Sequence, residues 1–275
     1  MVILAVIVGF MLEKGNLHVL FQPVEFLIIY GAALGGFIIS SPGKIMSHTL
    51  KDVKKLFVHR SKTKEDYMDL LVLLYKLFSK VRREGIISLE NDIEYPEKSQ
   101  IFNSHERVIA DKEVLDFLRD NFRVIVMGVE PSEVVEILEI DLETSRKESM
   151  IPYQGIAKIA DALPGLGIVA AVLGVVITMG KISEPPEILG HSIGAAMVGT
   201  FLGVLSCYGF AGPMASNLEH KVKEKEAYFN VIKTALQRFD SSPTIAIEVA
   251  RREIPMTARP TFIEFEDMKK KWKTK

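Results

Sequence analysis

The chain has 275 residues, 48% of them hydrophobic and 25% charged, with a mean hydropathy of +0.20. That mixture excludes a bundle buried wholly in lipid and fits a few membrane spans joined to a substantial polar portion. A formal net charge of −1 leaves no basic footprint for nucleic acid, and a single cysteine, Cys207, excludes an internal disulfide and reads as a buried structural thiol.

In chain order, Met1 to Leu12 is apolar but covers only about 18 Å as a helix, short for a hydrocarbon core of about 30 Å. It is expected to be a first span, with its start clipped or the bilayer locally thinned. A cleavable signal peptide is disfavoured, since no basic region precedes the run and no small-residue cleavage site follows it. Phe26 to Gly43 is a second uncharged stretch. Tyr67, Leu70, Leu71, Leu74, Leu77, Phe78 and Val81 then recur at helical spacing, and Gly85 should end that helix. A turn near Pro96, a short helix around Ile101 to Ala110, and helices over Val114 to Met127 and Ser132 to Glu148 follow. Ala162 to Gly180 and Ser192 to Leu218 have the form of a membrane hairpin, each carrying a proline (Pro164, Pro213) that frees a backbone carbonyl and bends the axis. Glu219 to Arg238 continues as a polar helix, and little sheet is expected.

Charge placement sets the orientation. Every lysine and arginine except Lys14, Lys158 and Lys181 lies in 41–155 or 215–275. Lys44, Lys51, Lys54 and Lys55 follow the second span and Lys221, Lys223 and Lys225 the fourth, which places both polar segments, and both termini, in the cytoplasm. The short loops 13–25 and 181–187 face outward. The expected fold is therefore all-α: a membrane protein with four transmembrane helices and a helical cytoplasmic domain. Its parts are spans one and two (1–43), a cytoplasmic domain (44–155), spans three and four (156–218) and a cytoplasmic C-terminal helix and tail (219–275).

Three G-x-x-x-G pairs, Gly31/Gly35, Gly190/Gly194 and Gly199/Gly203, permit close helix approach, either among these spans or with other subunits. No P-loop, zinc-protease motif, cysteine pair or nucleophile elbow is present, which points away from an enzyme and gives no catalytic or metal-binding residue. The span centres also lack ionisable groups, with Glu25, Asp161 and His191 placed at span ends. If ions cross here, a partner helix must bring the carboxylate. Thr200, near the middle of span four, could line a wet path, but on spacing alone a bond back to the carbonyl four residues earlier is favoured. Asp161 is expected to cap the start of span three. Lys80, Arg82, Arg83, Glu84 and Glu90 form a mixed-charge tip that is either a solvated face or a recognition surface.

At these residues the chain resembles the MotA family of flagellar stator subunits. The likeness rests on QPVEFLIIYGAALGGFI (22–38), YMDLLVLLYKLFSKVRREGIISLENDIEYP (67–96), DALPGLGIVAAVLGVV (161–176), MVGTFLGVLSCYGFAGPMA (197–215) and RPTFIEFE (259–266), and so covers nearly the whole length. The resemblance implies an inner-membrane protein that self-associates as a ring, expected to be a pentamer, around a MotB dimer whose helices carry the missing aspartate. A transported cation, H+ or Na+, takes the place of a cofactor, and ion flow turns the ring against the rotor protein FliG. By motif position, Pro164 and Pro213 match the family's two functional prolines, Thr200 its pore threonine, Ala171 a pore-lining site, and Arg82 and Glu90 its rotor-facing charged pair. The alternative is an ion-driven energising subunit like ExbB or TolQ, relatives that lack the first span pair and this tip. The family's first span usually begins several residues earlier than Met1.

Overall fold

In the computed structural model, which describes residues 1–56 and 61–273, secondary structure is helical throughout, with no strand among the described residues. The helices are α1 (Val2–Leu12), α2 (Leu17–Leu20), α3 (Pro23–Ser40), α4 (Gly43–Leu56), α5 (Lys64–Glu84), α6 (Glu90–Glu94), α7 (Gln100–Asn103), α8 (Glu106–Ile109), α9 (Lys112–Val126), α10 (Pro131–Met179), α11 (Pro186–Ser206), α12 (Gly212–Leu236), α13 (Pro243–Glu253) and α14 (Phe262–Lys273). The chain divides into two compact units, residues 1–59 with 149–220 and residues 60–148 with 221–275.

Among the described residues, three helical segments are long and apolar enough to cross a membrane: Leu17–Ser40, Pro131–Met179 and Pro186–Leu236. The eleven-residue α1 is apolar but shorter. The charged side chains expected to set orientation at Lys44, Lys51 and Lys54, together with that of Lys55, lie outside the described side chains. The core of the first unit is built from α3, α10 and α11, through Ile29, Ala33, Ala160, Leu163, Ala170 and Leu202. Alanines alternate there with larger Ile and Leu side chains, and backbones approach closely where small residues meet, as suits helices that gain little from hydrophobic burial in lipid.

The second unit has the larger apolar core. α5 contributes Leu70, Leu71, Leu74, Leu77 and Phe78, α9 Phe117 and Phe122, and α12 Tyr228, Phe229 and Ile232. Phe117 stacks on Phe229 at 4.7 Å. α5 starts at a capping box in which the Asp66 carboxylate accepts from the Thr63 amide (2.7 Å). It ends at Gly85, whose φ of 82° is a left-handed conformation that glycine adopts without a Cβ penalty.

Two sequence expectations need correction. Ser132–Glu148 and the third apolar run are not separate elements: α10 continues for 49 residues through Pro152 and Pro164. Asp161 therefore sits well inside a helix, with no free N-terminus to cap, and it is exposed. The run after Gly85 is also more broken than one turn and one helix. It forms a 3₁₀ turn (Ile86–Leu89), α6, a second 3₁₀ turn (Pro96–Lys98), α7 and α8.

Candidate functional site

The crossing of α10 and α11 is made by glycines. A Cβ added at Gly167 would stand 2.8 Å from the Gly199 carbonyl oxygen and 3.3 Å from Thr200 Cα. One at Gly203 would meet the Leu163 carbonyl oxygen at 2.5 Å. At Gly199 it would come within 3.2 Å of the Ala171 amide nitrogen. Gly199 and Gly203 are thus used inside this chain, whereas additions at Gly31, Gly35, Gly190 and Gly194 would meet nothing within 4 Å. Pro164 and Ala171 on α10 and Thr200 on α11 fall at this one crossing, and all three are partly exposed. Their neighbours Ile168, Val169, Val172 and Val176 present an apolar face that none of the described residues covers.

Thr200 makes no side-chain hydrogen bond among the described residues, so the back-bond favoured on spacing is not formed. Thr178 makes that bond instead, its Oγ1 donating to the Gly174 carbonyl at 2.8 Å. The Thr200 hydroxyl is left to whatever lies beside the crossing.

Pro213 is separated from that crossing by a π-helical turn over Cys207–Ala211, which no sequence pattern marks. Proline lacks an amide donor and its ring would strike the carbonyl four residues back, here that of Gly209. The wider turn relaxes that register, and such turns recur at functional sites. Pro213 itself is exposed and Cys207 buried. Just before the turn, the Ser206 and Tyr30 hydroxyls share a 2.5 Å hydrogen bond that ties α11 to α3.

Glu25 lies at the end of its helix, as the sequence places it, but is buried there: the residue is 8% exposed, and its Oε2 has no hydrogen-bond partner. Its position in the first turn of α3 is legible in the sequence, but the glycine cleft that receives it depends on the tertiary crossing.

In the second unit, Arg82 and Glu90 flank Gly85 and are both exposed, with no ion pair among the described residues. The segment bearing Glu90 is anchored from behind. Asp92 is buried and accepts from Lys80 Nζ (2.6 Å) and Ser99 Oγ (2.5 Å). Arg119 Nε donates to the Ile93 carbonyl (2.9 Å), and Arg123 grips Glu94 through Nε (2.6 Å) and a terminal guanidinium nitrogen (2.9 Å). The Arg123 guanidinium holds the Glu94 carboxyl below the usual range. Two exposed charges without an ion pair among the described residues, on a fixed support, are suited to an external partner.

The RPTFIEFE stretch is a clasp. Arg259 donates to the carbonyls of Ile254 (2.9 Å) and Arg252 (2.6 Å), and Arg251 to that of Pro260 (2.8 Å). Glu264 accepts from the Thr261 amide (2.7 Å) and from Lys64 (2.6 Å), which pulls its carboxyl down to about 2, while Phe265 is buried against Tyr75.

Comparison with known proteins decides the family. Residues 1–85 match the model for the motility protein A N-terminal region, and residues 109–231 that for the MotA/TolQ/ExbB proton channel family. Motility protein A of Escherichia coli is 42% identical over 262 residues, covering 94% of this chain and 89% of that protein. The chain belongs to the motility protein A family. The chemotaxis protein LafT of Vibrio parahaemolyticus, 34% identical over 268 residues, is a further relative covering 96% of this chain and 94% of that one. The fold is shared with the structure of MotAB from C. jejuni (TM-score 0.78, 19% identity, 94% of this chain and 95% of that chain). It is likewise shared with the flagellar MotAB stator complex from Bacillus subtilis (TM-score 0.77, 22% identity, 96% of each). As a member of that family, with residues 109–231 matching a proton channel model, the chain is an ion-channel subunit and not an enzyme.

Proposed function

We propose that this subunit passes H+ or Na+ along the α10/α11 crossing and converts that flow into force on the rotor. The observation that carries the reading is the crossing itself. Gly167, Gly199 and Gly203 bring two apolar helices into backbone contact, and Thr200 and Ala171 border an uncovered face whose side chains, Ile168, Val169, Val172 and Val176, include no carboxylate, Glu25 being buried beside Gly199. A MotB dimer would supply that carboxylate from its own membrane helices, surrounded by a ring of five copies of this chain. Pro164 and Pro213 would couple ion binding to movement of the crossing. Arg82 and Glu90, exposed and unpaired, would press on charged residues of FliG.

In this arrangement α1 is a fourth, short span, both termini and the second unit are cytoplasmic, and the protein resides in the bacterial inner membrane among its lipids. An energising role like that of ExbB or TolQ would use the same crossing but have no use for the charged tip.

The test is swimming of a strain lacking its own A subunit, complemented with this chain and its cognate B subunit while external sodium is varied at fixed pH. Speed that tracks sodium assigns Na+, and speed indifferent to it assigns H+. Arg82→Glu should abolish swimming, and a compensating reversal on FliG should restore it. Membrane-inserted protein that never supports swimming, even with matched rotor parts, would defeat the motor reading.

A further inference from the structure

Among the described residues, Glu25 is the one buried carboxylate of the first unit. It occupies the third position of α3, where a glutamate ordinarily reaches back to the amide that precedes the helix. The side chain makes no such cap. It turns inward, to where α10 and α11 leave room only because glycines stand there. A Cβ on Gly199 would lie 3.0 Å from Glu25 Oε2, and one on Gly174 would lie 3.6 Å from Oε1. Ala170 and Ala196 close the sides, at 3.1 Å and 2.6 Å from the same two Cβ positions. Besides Glu25, the atoms nearest those two Cβ positions belong to Ala170, Ala171 and Ala196, none of which titrates.

An unpaired charge in such surroundings is costly, and a bound cation removes it. A metal cation asks for several oxygen ligands at short range, and apart from the Glu25 oxygens the atoms nearest these two glycines are methyl and Cα carbons and one amide nitrogen, with no further oxygen among them. A proton asks only for an oxygen of the carboxylate itself. We propose that Glu25 is a proton-holding site of this chain, a carboxyl that takes up and releases a proton in the cleft between Gly174 and Gly199. Use of that proton in transport rests on the ion-passing reading above, whereas its residence at Glu25 does not.

The test uses the full chain with its cognate B subunit in membranes. Dicyclohexylcarbodiimide adds the O–H of a protonated, apolar-sited carboxyl across one C=N bond, and the O-acylisourea formed rearranges to a stable N-acylurea. Mass spectrometry should find this adduct on Glu25 and show it declining as pH rises, with Glu25→Gln as the blank. In vesicles, Glu25→Gln should co-purify with the B subunit yet lower proton flux by roughly a hundredfold, the low end of what a positioned proton-transfer group contributes. Glu25→Asp, which keeps a carboxyl, should recover part of the flux. Absence of the adduct at every pH would overturn the site. An adduct together with unchanged flux in Glu25→Gln would overturn its part in transport. A native complex that passes neither protons nor sodium ions while Glu25 is still modified would defeat the ion-passing reading and leave the proton site standing.

Discussion

Replacing Gly203 by alanine tests the backbone crossing on which the functional reading depends. The new methyl carbon would sit 2.8 Å from Gly167 Cα and 2.5 Å from the Leu163 carbonyl oxygen. Non-bonded carbons prefer about 3.5–4.0 Å, so the Gly167 contact alone asks α11 to retreat by about 0.7–1.2 Å. A gap of that size forfeits roughly a quarter to a half of the dispersion attraction across the contact. Both obstructing groups are backbone and cannot rotate aside, which places the cost toward the upper part of the usual 1–3 kcal/mol for overpacking, about 2–3 kcal/mol. Alanine is a better helix former than glycine by about 1 kcal/mol, leaving a net loss of about 1–2 kcal/mol. For a chain near this size that corresponds to a thermal midpoint lower by roughly 2–8 °C. The assay is thermal unfolding of the detergent-solubilised complex with its B subunit, beside Gly31→Ala, where the methyl meets nothing within this chain. A Gly203→Ala protein that melts with or above the native one would refute the claim that the crossing is set by backbone contact.

Three further outcomes are expected of the second unit. Glu264 is held at about 2 by Lys64 and Thr261, below its ordinary 4.5. Its contribution to the clasp is therefore complete above about pH 4.5 and lost as pH falls toward 2; hydrogen exchange of α14 should rise over that window and be insensitive to it in Glu264→Gln. Phe265→Ala empties a site that is 1% exposed and should cost about 3–5 kcal/mol in chemical denaturation of the full chain. Burial, with help from Glu224 and Asp66, pushes the Tyr67 phenol up to about 12. Its contribution to stability is present below pH 10 and lost as pH rises through 12, so alkaline difference spectra of native and Tyr67→Phe proteins should differ only near the top of the titration.

Periodicity made the second unit legible. The apolar spacing from Tyr67 to Val81 and the stop at Gly85 correspond to α5 and its left-handed end. Uncharged length made the spans after residue 160 legible too, but their starts were not. α10 passes from a polar to an apolar stretch with no change of backbone, so a change in composition marked no helix end there. The clasp in 259–266 escaped a physical reading because it is made by arginines donating to carbonyls, which have no sequence pattern. The burial of Glu25 is illegible for a related reason: hydropathy places a residue along the helix axis, while the glycines that receive it lie on two other helices far away in sequence.

The anchoring of α6 has a mechanical consequence. A motor element that yields under load stores work in its own deformation before any reaches the partner. Asp92, Ile93 and Glu94 are each held from behind, by Lys80 and Ser99, by Arg119 and by Arg123, so three successive residues beneath the tip are pinned to α5 and α9. Whatever pushes against Glu90 meets a low-compliance strut, and displacement of that strut is passed to the helices with little lost motion.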